Sequence, residues 1–197
     1  MHRLPLFPLP VVLFPGAPLP LHVFEPRYRQ MVARCVEGDG RFGLLYHDPD
    51  RHGPFSVEEG SVGCEAEILD FQPLPDGRSL IFTRGRERFA VDDGIEADTP
   101  YHECVATAYM DEAPPPPEIP QRRERSVALF HRVVAEVIRR DPPFPEIDTE
   151  AETGFQLAQA LRTDPAWQQS LLELRSEVDR LDRIDAMMSR LLAGNET

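Results

Sequence analysis

Three groups of side chains in this sequence have the chemistry to act on something. The loop HDPDRHGP brings His47, Asp48, Asp50 and His52 close together, and all four are metal-capable. Their spacing fits no metal signature, and the prolines between them favour a plain turn. Cys35, Cys64 and Cys104 are the three thiols. They are odd in number, far apart, and form no C-x-x-C, so neither a zinc knuckle nor a redox pair is expected. Buried, reduced thiols are the reading that remains. No G-x-S-x-G elbow exists, and His22, His102 and His131 stand apart in sequence, so nothing supports a hydrolase triad or a nucleophilic Cys35. Arg84, Arg86 and Arg88 repeat at alternate positions. On a flat strand they would form one cationic face, an alternative anion-binding site for acidic peptides or RNA phosphates. Gly85 is expected to bend the strand and break that stripe, leaving charges that guard a sheet edge.

The cations narrow the chemistry further. All 21 basic residues are Arg, and the sequence holds no Lys. These residues therefore provide no Walker A loop, no Ser–Lys dyad and no Schiff base. Asp and Glu number 34, giving a formal net charge of -13. That balance argues against nucleic acid and against acidic membrane surfaces as partners. No cofactor, no metal and no catalytic residue is expected.

The length of 197 residues allows one domain or two small ones, with enough apolar content to bury a core. No run approaches the ~18 apolar residues of a membrane span. Prolines at 5, 8, 10, 15, 18 and 20 would break the apolar helix of a secretory signal. A cytoplasmic location is expected, in keeping with unpaired cysteines.

The elements that must position these groups change character at DEAPPPPEIP, residues 111–120. Before it, short apolar runs predict strands at 4–7, 11–14, 19–24, 42–47, 61–72, 79–83, 88–91 and 101–110. One helix starts at Pro26 and ends at Gly38, with Tyr28, Met31, Val32 and Cys35 on one face. Asp76–Gly77 is a hairpin signal. After it, Phe130, Val133, Val134, Val137 and Ile138 form a helical stripe. Thr149 with Glu152 reads as a capping box, Asp164–Pro165 as a helix start, and Ser176 with Asp179 as a break and restart. The expected organisation is a barrel of about six strands over 1–112, a proline-rich linker over 113–120 and a helical bundle over 121–194.

One long motif goes further. Residues 4–28 read LPLFPLPVVLFPGAPLPLHVFEPRY. The pieces Pro5–Pro8, Phe14–Gly16, Pro20–Leu21 and Phe24–Tyr28 resemble the opening of the Lon substrate-binding domain, the N-terminal domain of Lon proteases. Asp76–Arg78, Gly85 with Arg88–Phe89 and Pro100–Tyr101 resemble the same family, and in the helical half Pro142–Pro145, Leu157–Leu161 and Gln169–Glu173 are similar to its stand-alone bacterial members. The resemblance implies an α+β fold, a PUA-like, mostly antiparallel pseudo-barrel followed by a C-terminal α-helical bundle. It also implies contact with unfolded or tagged polypeptide and leaves a homo-oligomer open. A full Lon enzyme continues into ATPase and Ser–Lys peptidase domains, which are not expected here.

The resulting expectation is a non-catalytic recognition module for extended or unfolded polypeptide, an adaptor for a protease or chaperone. Strand addition, or an apolar groove between the two halves, would be its mechanism. Phe14, Phe24, Glu25, Arg27 and Tyr28 are the candidate substrate-binding residues. The competing structural role has Pro26 starting a helix, Tyr28 packing inward, and Glu25 with Arg27 orienting the turn. An RNA-binding PUA-like protein and a small-molecule-binding protein are the alternatives.

Overall fold

The computed structural model describes residues 1–138 and 146–195. The Pro142–Pro145 match lies outside the described residues. The chain divides into two compact units, one up to Met110 and one from Asp111 onward. Residues 113–120 count with the second unit.

In the first unit, apolar residues at strand periodicity set which face is buried. The elements are β1 (His2–Leu9), β2 (Pro18–Val23), α1 (Pro26–Glu37), β3 (Arg41–Tyr46), α2 (Pro49–His52), β4 (Val62–Pro73), β5 (Ser79–Ile95) and β6 (Glu103–Ala108). They form a six-stranded sheet of order β2-β5-β4-β3-β1-β6. An additional β5–β6 pairing closes the sheet on itself, which leaves β2 as an edge. Only β1–β3 is parallel. The 17-residue β5 makes the closure possible, pairing with β2 through Ser79–Arg84 and with β6 through Phe89–Ile95. Inside, Leu4, Leu6, Leu45, Phe89, Val91, Cys104 and Ala106 form one buried cluster.

Two sequence expectations change here. Residues 11–14 form no strand, because Val12, Leu13 and Phe14 are all buried in succession. Three consecutive inward residues are incompatible with strand alternation, and Pro10 and Pro15 bracket them. The 79–83 and 88–91 runs are one strand, not two. The register slips between them, with Ala66 opposite Gly85 and Cys64 opposite Arg88. The Gly85 amide donates to the Ala17 carbonyl (2.9 Å), and its carbonyl accepts from the Gly16 amide (2.8 Å). The Pro15–Gly16 turn thus docks on the Gly85 backbone. The Asp76–Gly77 turn joins β4 to β5, with Gly77 at φ +80°.

The second unit holds α3 (Ile119–Val133), a π-helical turn (Val134–Ile138), α4 (Thr153–Leu161), α5 (Pro165–Leu172) and α6 (Glu177–Asn195). Phe130, Val133, Leu157, Leu171, Leu181, Ile184 and Met188 are buried in it. The stripe through Ile138 is therefore not one α-helix, since it widens to π geometry after Val133. The Thr149 capping box does not form either. Glu152 is the N-cap itself, accepting from the Phe155 amide at 2.8 Å. Its other oxygen accepts from Arg180 at 2.9 Å. Asp164 caps α5. The Ser176 hydroxyl accepts from the Asp179 amide at 3.3 Å, where the chain restarts as α6.

Arg180 is 1% exposed and is the charged centre of this unit. It donates to Asp111 (3.0 and 2.6 Å), Glu152 (2.9 Å) and the Leu174 carbonyl (2.8 Å). Its guanidinium also lies 4.2 Å from the Phe155 ring centroid. Arg123 makes a bidentate pair with Glu177 (2.8 and 2.7 Å). Buried cations at this density require such pairing.

Candidate polypeptide-binding face

The five candidate substrate-binding residues separate by burial. Phe14 is fully buried beneath the strands and offers no surface. Tyr28 is buried too, stacked on Phe7 with ring centroids 4.1 Å apart. Burial pushes its hydroxyl above the usual tyrosine range, against the pull of Arg27. Glu25 precedes α1 and accepts from Arg27 at 2.9 Å, while Arg27 also lies over the Tyr28 ring. Glu25, Arg27 and Tyr28 organise the entry to α1. Phe24 differs, at 59% exposed.

Phe24 continues a larger apolar surface. Along β5, Leu80, Phe82, Arg84 and Arg86 are exposed while Ser79, Ile81, Thr83 and Gly85 are buried. Register with the neighbouring strands arranges three cross-strand rows: His22–Leu80–Gln72, Pro20–Phe82–Asp70 and Pro18–Arg84–Glu67. The first two rows line a groove of about 380 Å³. The rings of His22 and Phe24 are 5.8 Å apart, so Phe24 extends the strip beyond the first row. Leu80 is 42% exposed and Phe82 41%. Large apolar side chains clustered like this on a solvent face mark interaction surfaces.

The edge beside this face lacks donors. Strand residues alternate between bonding the neighbour and facing outward. The Ala17 carbonyl accepts from the Gly85 amide of β5, so the alternation turns Ala17, Leu19 and Leu21 toward β5 and leaves Pro18, Pro20 and His22 as the outward set. Two of those three residues have no N–H. An incoming strand would find carbonyls to accept its amides and almost nothing to donate back. The geometry disfavours strand addition at β2.

The arginine stripe is not broken at Gly85, since Arg84 and Arg86 on either side of it stay exposed; it ends after Arg86, where the strand alternation slips. Arg84 and Arg86 are exposed, and Arg86 donates to Glu67 at 3.3 Å. Arg88 is buried, with its guanidinium 5.1 Å from the Tyr109 ring centroid. Two exposed arginines remain on the apolar face, short of a phosphate-tracking surface.

Residues 3–190 match the family described as the ATP-dependent protease La (LON) substrate-binding domain. The chain belongs to this family. A Lon protease of Cytophaga hutchinsonii is 24% identical over 200 residues, covering 95% of this chain and 24% of the relative. The crystal structure of a Lon N-terminal domain protein from Xanthomonas campestris superposes with a TM-score of 0.68 at 26% identity, covering 94% of this chain and 98% of that one. The N-terminal domain of a Mycobacterium avium complex Lon protease shares the fold, with a TM-score of 0.69 at 16% identity over 95% of this chain and 98% of that one. The chain spans about a quarter of the length of the Lon proteases it matches.

The remaining candidates of this Lon-family domain resolve into structural roles. The HDPDRHGP loop folds into α2, a helical turn capped by Asp48, which accepts from the Asp50 amide at 3.1 Å. The His47 ring sits 2.9 Å from the Gly53 carbonyl, and its edge packs on Phe55. The described residues contain no group of three or more metal-capable side chains that could hold an ion. Cys35, Cys64 and Cys104 are buried free thiols. Burial pushes Cys35 and Cys104 up to about 12 and Cys64 higher still, far from nucleophilic thiolate. No helix among the described residues is long and apolar enough to cross a membrane.

Leu80, Phe82 and His22 escaped the sequence reading. The signal was present: Leu80 and Phe82 alternate with Ser79, Ile81 and Thr83. Alternation alone does not say which face is buried, and here the inward set mixes polar with apolar residues.

Proposed function

We propose that this chain is a non-catalytic recognition module that binds extended or unfolded polypeptide and presents it to a protease or chaperone. One observation carries the reading: the apolar strip of Pro20, His22, Phe24, Leu80 and Phe82, exposed on the β2–β5–β4 face of a substrate-binding-family domain. Unfolded chains expose apolar side chains that native proteins bury, so such a strip discriminates between the two states. The buried, un-ionised thiols of Cys35, Cys64 and Cys104 argue against a cysteine nucleophile.

The test is a titration with a permanently unfolded protein, reduced and carboxymethylated α-lactalbumin, beside its native form. Fluorescence anisotropy is expected to report binding of the unfolded form alone. Equal binding of both forms, or none up to about 100 μM, the weak end of useful recognition, overturns the reading.

A further inference from the structure

The charges on the apolar face are not evenly matched. Arg86 is tied to Glu67. Arg84 also faces Glu67 across the strands, yet that carboxylate is taken by Arg86. Among the described residues Arg84 has neither an ion pair nor a hydrogen bond from its side chain. It stands exposed in the row next to Phe82, about 7 Å along the strand by the two-residue repeat. Asp70 occupies the middle row, beside Phe82.

We propose that this face selects polypeptide segments in which an Asp or Glu follows two apolar side chains at the same alternate spacing. The inference rests on the polypeptide-binding function proposed above and adds a specificity to it. An extended ligand repeats its side chains every second residue, as the sheet does. Its apolar pair covers the Leu80 and Phe82 rows, and the next side chain on that face reaches the Arg84 row. A carboxylate there meets a planar guanidinium fork that can bind both oxygens. A carboxylate one row earlier meets Asp70 and is repelled. Position, not net charge alone, therefore decides the preference. Because the β2 edge lacks donors at Pro18 and Pro20, side chains rather than backbone pairing fix the ligand's register.

The experiment uses three labelled peptides of equal length, read by fluorescence anisotropy at low salt. The first carries Phe at two alternate positions and Asp at the next. The second has Asn for that Asp. The third has the first peptide's composition with Asp moved between the two Phe rows. The first is expected to bind about threefold tighter than the second, the scale of one exposed ion pair, with the gap closing at high salt. The third is expected to bind more weakly than the first. Arg84→Gln is expected to bring the Asp peptide down to the Asn peptide's affinity, and Arg84→Glu to favour a Lys peptide. Equal affinities for the first two peptides, or a gap that survives Arg84→Gln, overturn the selectivity. If the Asn peptide binds and Phe82→Ser abolishes it, polypeptide recognition stands while the acidic preference falls. If no peptide binds, both fall.

Discussion

The ring of Phe89 fills the space a side chain at position 43 would need: a Cβ on Gly43 would lie 2.7 Å from its Cζ. Leu4 and Leu6 press on the same point at 2.8 and 3.0 Å. All three obstacles are side chains, so a Cβ at position 43 meets packing and not backbone. Gly43→Ala is expected to cost about 2 kcal/mol, the usual range for overpacking. Phe89→Leu frees part of that space. The double variant should be more stable than the sum of the two single losses predicts, with a coupling of about 1 kcal/mol. Urea unfolding of the four proteins measures this, and strict additivity would show that the Phe89 ring is not the obstacle.

Arg180 anchors the helical unit through charge. Its partners Asp111 and Glu152 are about a third exposed, so solvent moderates the pairing. Removing the guanidinium still strands Glu152, whose carboxyl burial already pushes above the usual range despite Arg180. Arg180→Met is expected to lose about 3 kcal/mol, the low end for breaking a buried pair. Arg180→Lys should not restore it, because one ammonium cannot serve Asp111, Glu152 and the Leu174 carbonyl from one position. Full rescue by Lys would show that charge alone suffices.

The fold was readable from the sequence where periodicity and punctuation agree. The α1 stripe of Tyr28, Met31, Val32 and Cys35 lies between Pro26 and Gly38, and all four are buried. The Asp76–Gly77 turn and the Asp164 and Ser176 starts are local chemistry, so they survive without tertiary information. The failures are tertiary. Glu152 caps α4 because Arg180, from another helix, holds its carboxylate. Residues 12–14 go inward together because the Gly85 backbone accepts their turn. The candidate face was the least readable part. Phe24 lay inside the family motif, but Leu80 and Phe82 join it only through the β2–β5 register.

Asp185 gives a pH dependence with a definite sign. Burial pushes its carboxyl above the usual aspartate range, against the Ser126 hydroxyl and the fields of Arg122 and Arg125. Between the ordinary value near 4 and the raised one, the folded protein holds a proton that the unfolded chain has released. Stability from this group is therefore present at low pH and lost as pH rises through that window. Asp185→Asn keeps an acceptor for the Ser126 hydroxyl, which donates at 2.9 Å, and never ionises. Its Tm should exceed that of the natural sequence at pH 7 and converge with it toward pH 3. A Tm difference constant across that range would remove Asp185 as the cause.

Phe82 and Leu80 separate binding from folding. Each is about two-fifths exposed, and neither belongs to the buried cluster around Phe89. Replacing both with Ser should move stability by no more than about 1 kcal/mol, as for other surface positions. Binding should respond far more, since large apolar side chains at the centre of a contact carry a disproportionate share of its energy. A loss of about tenfold in affinity for unfolded α-lactalbumin is expected, corresponding to about 1.4 kcal/mol. Val36→Ser is the matched control: an apolar residue 42% exposed on α1, away from these strands. It should bind as the natural sequence does. If the Leu80/Phe82 double variant keeps its affinity while remaining folded, the β2–β5–β4 face is not where polypeptide docks.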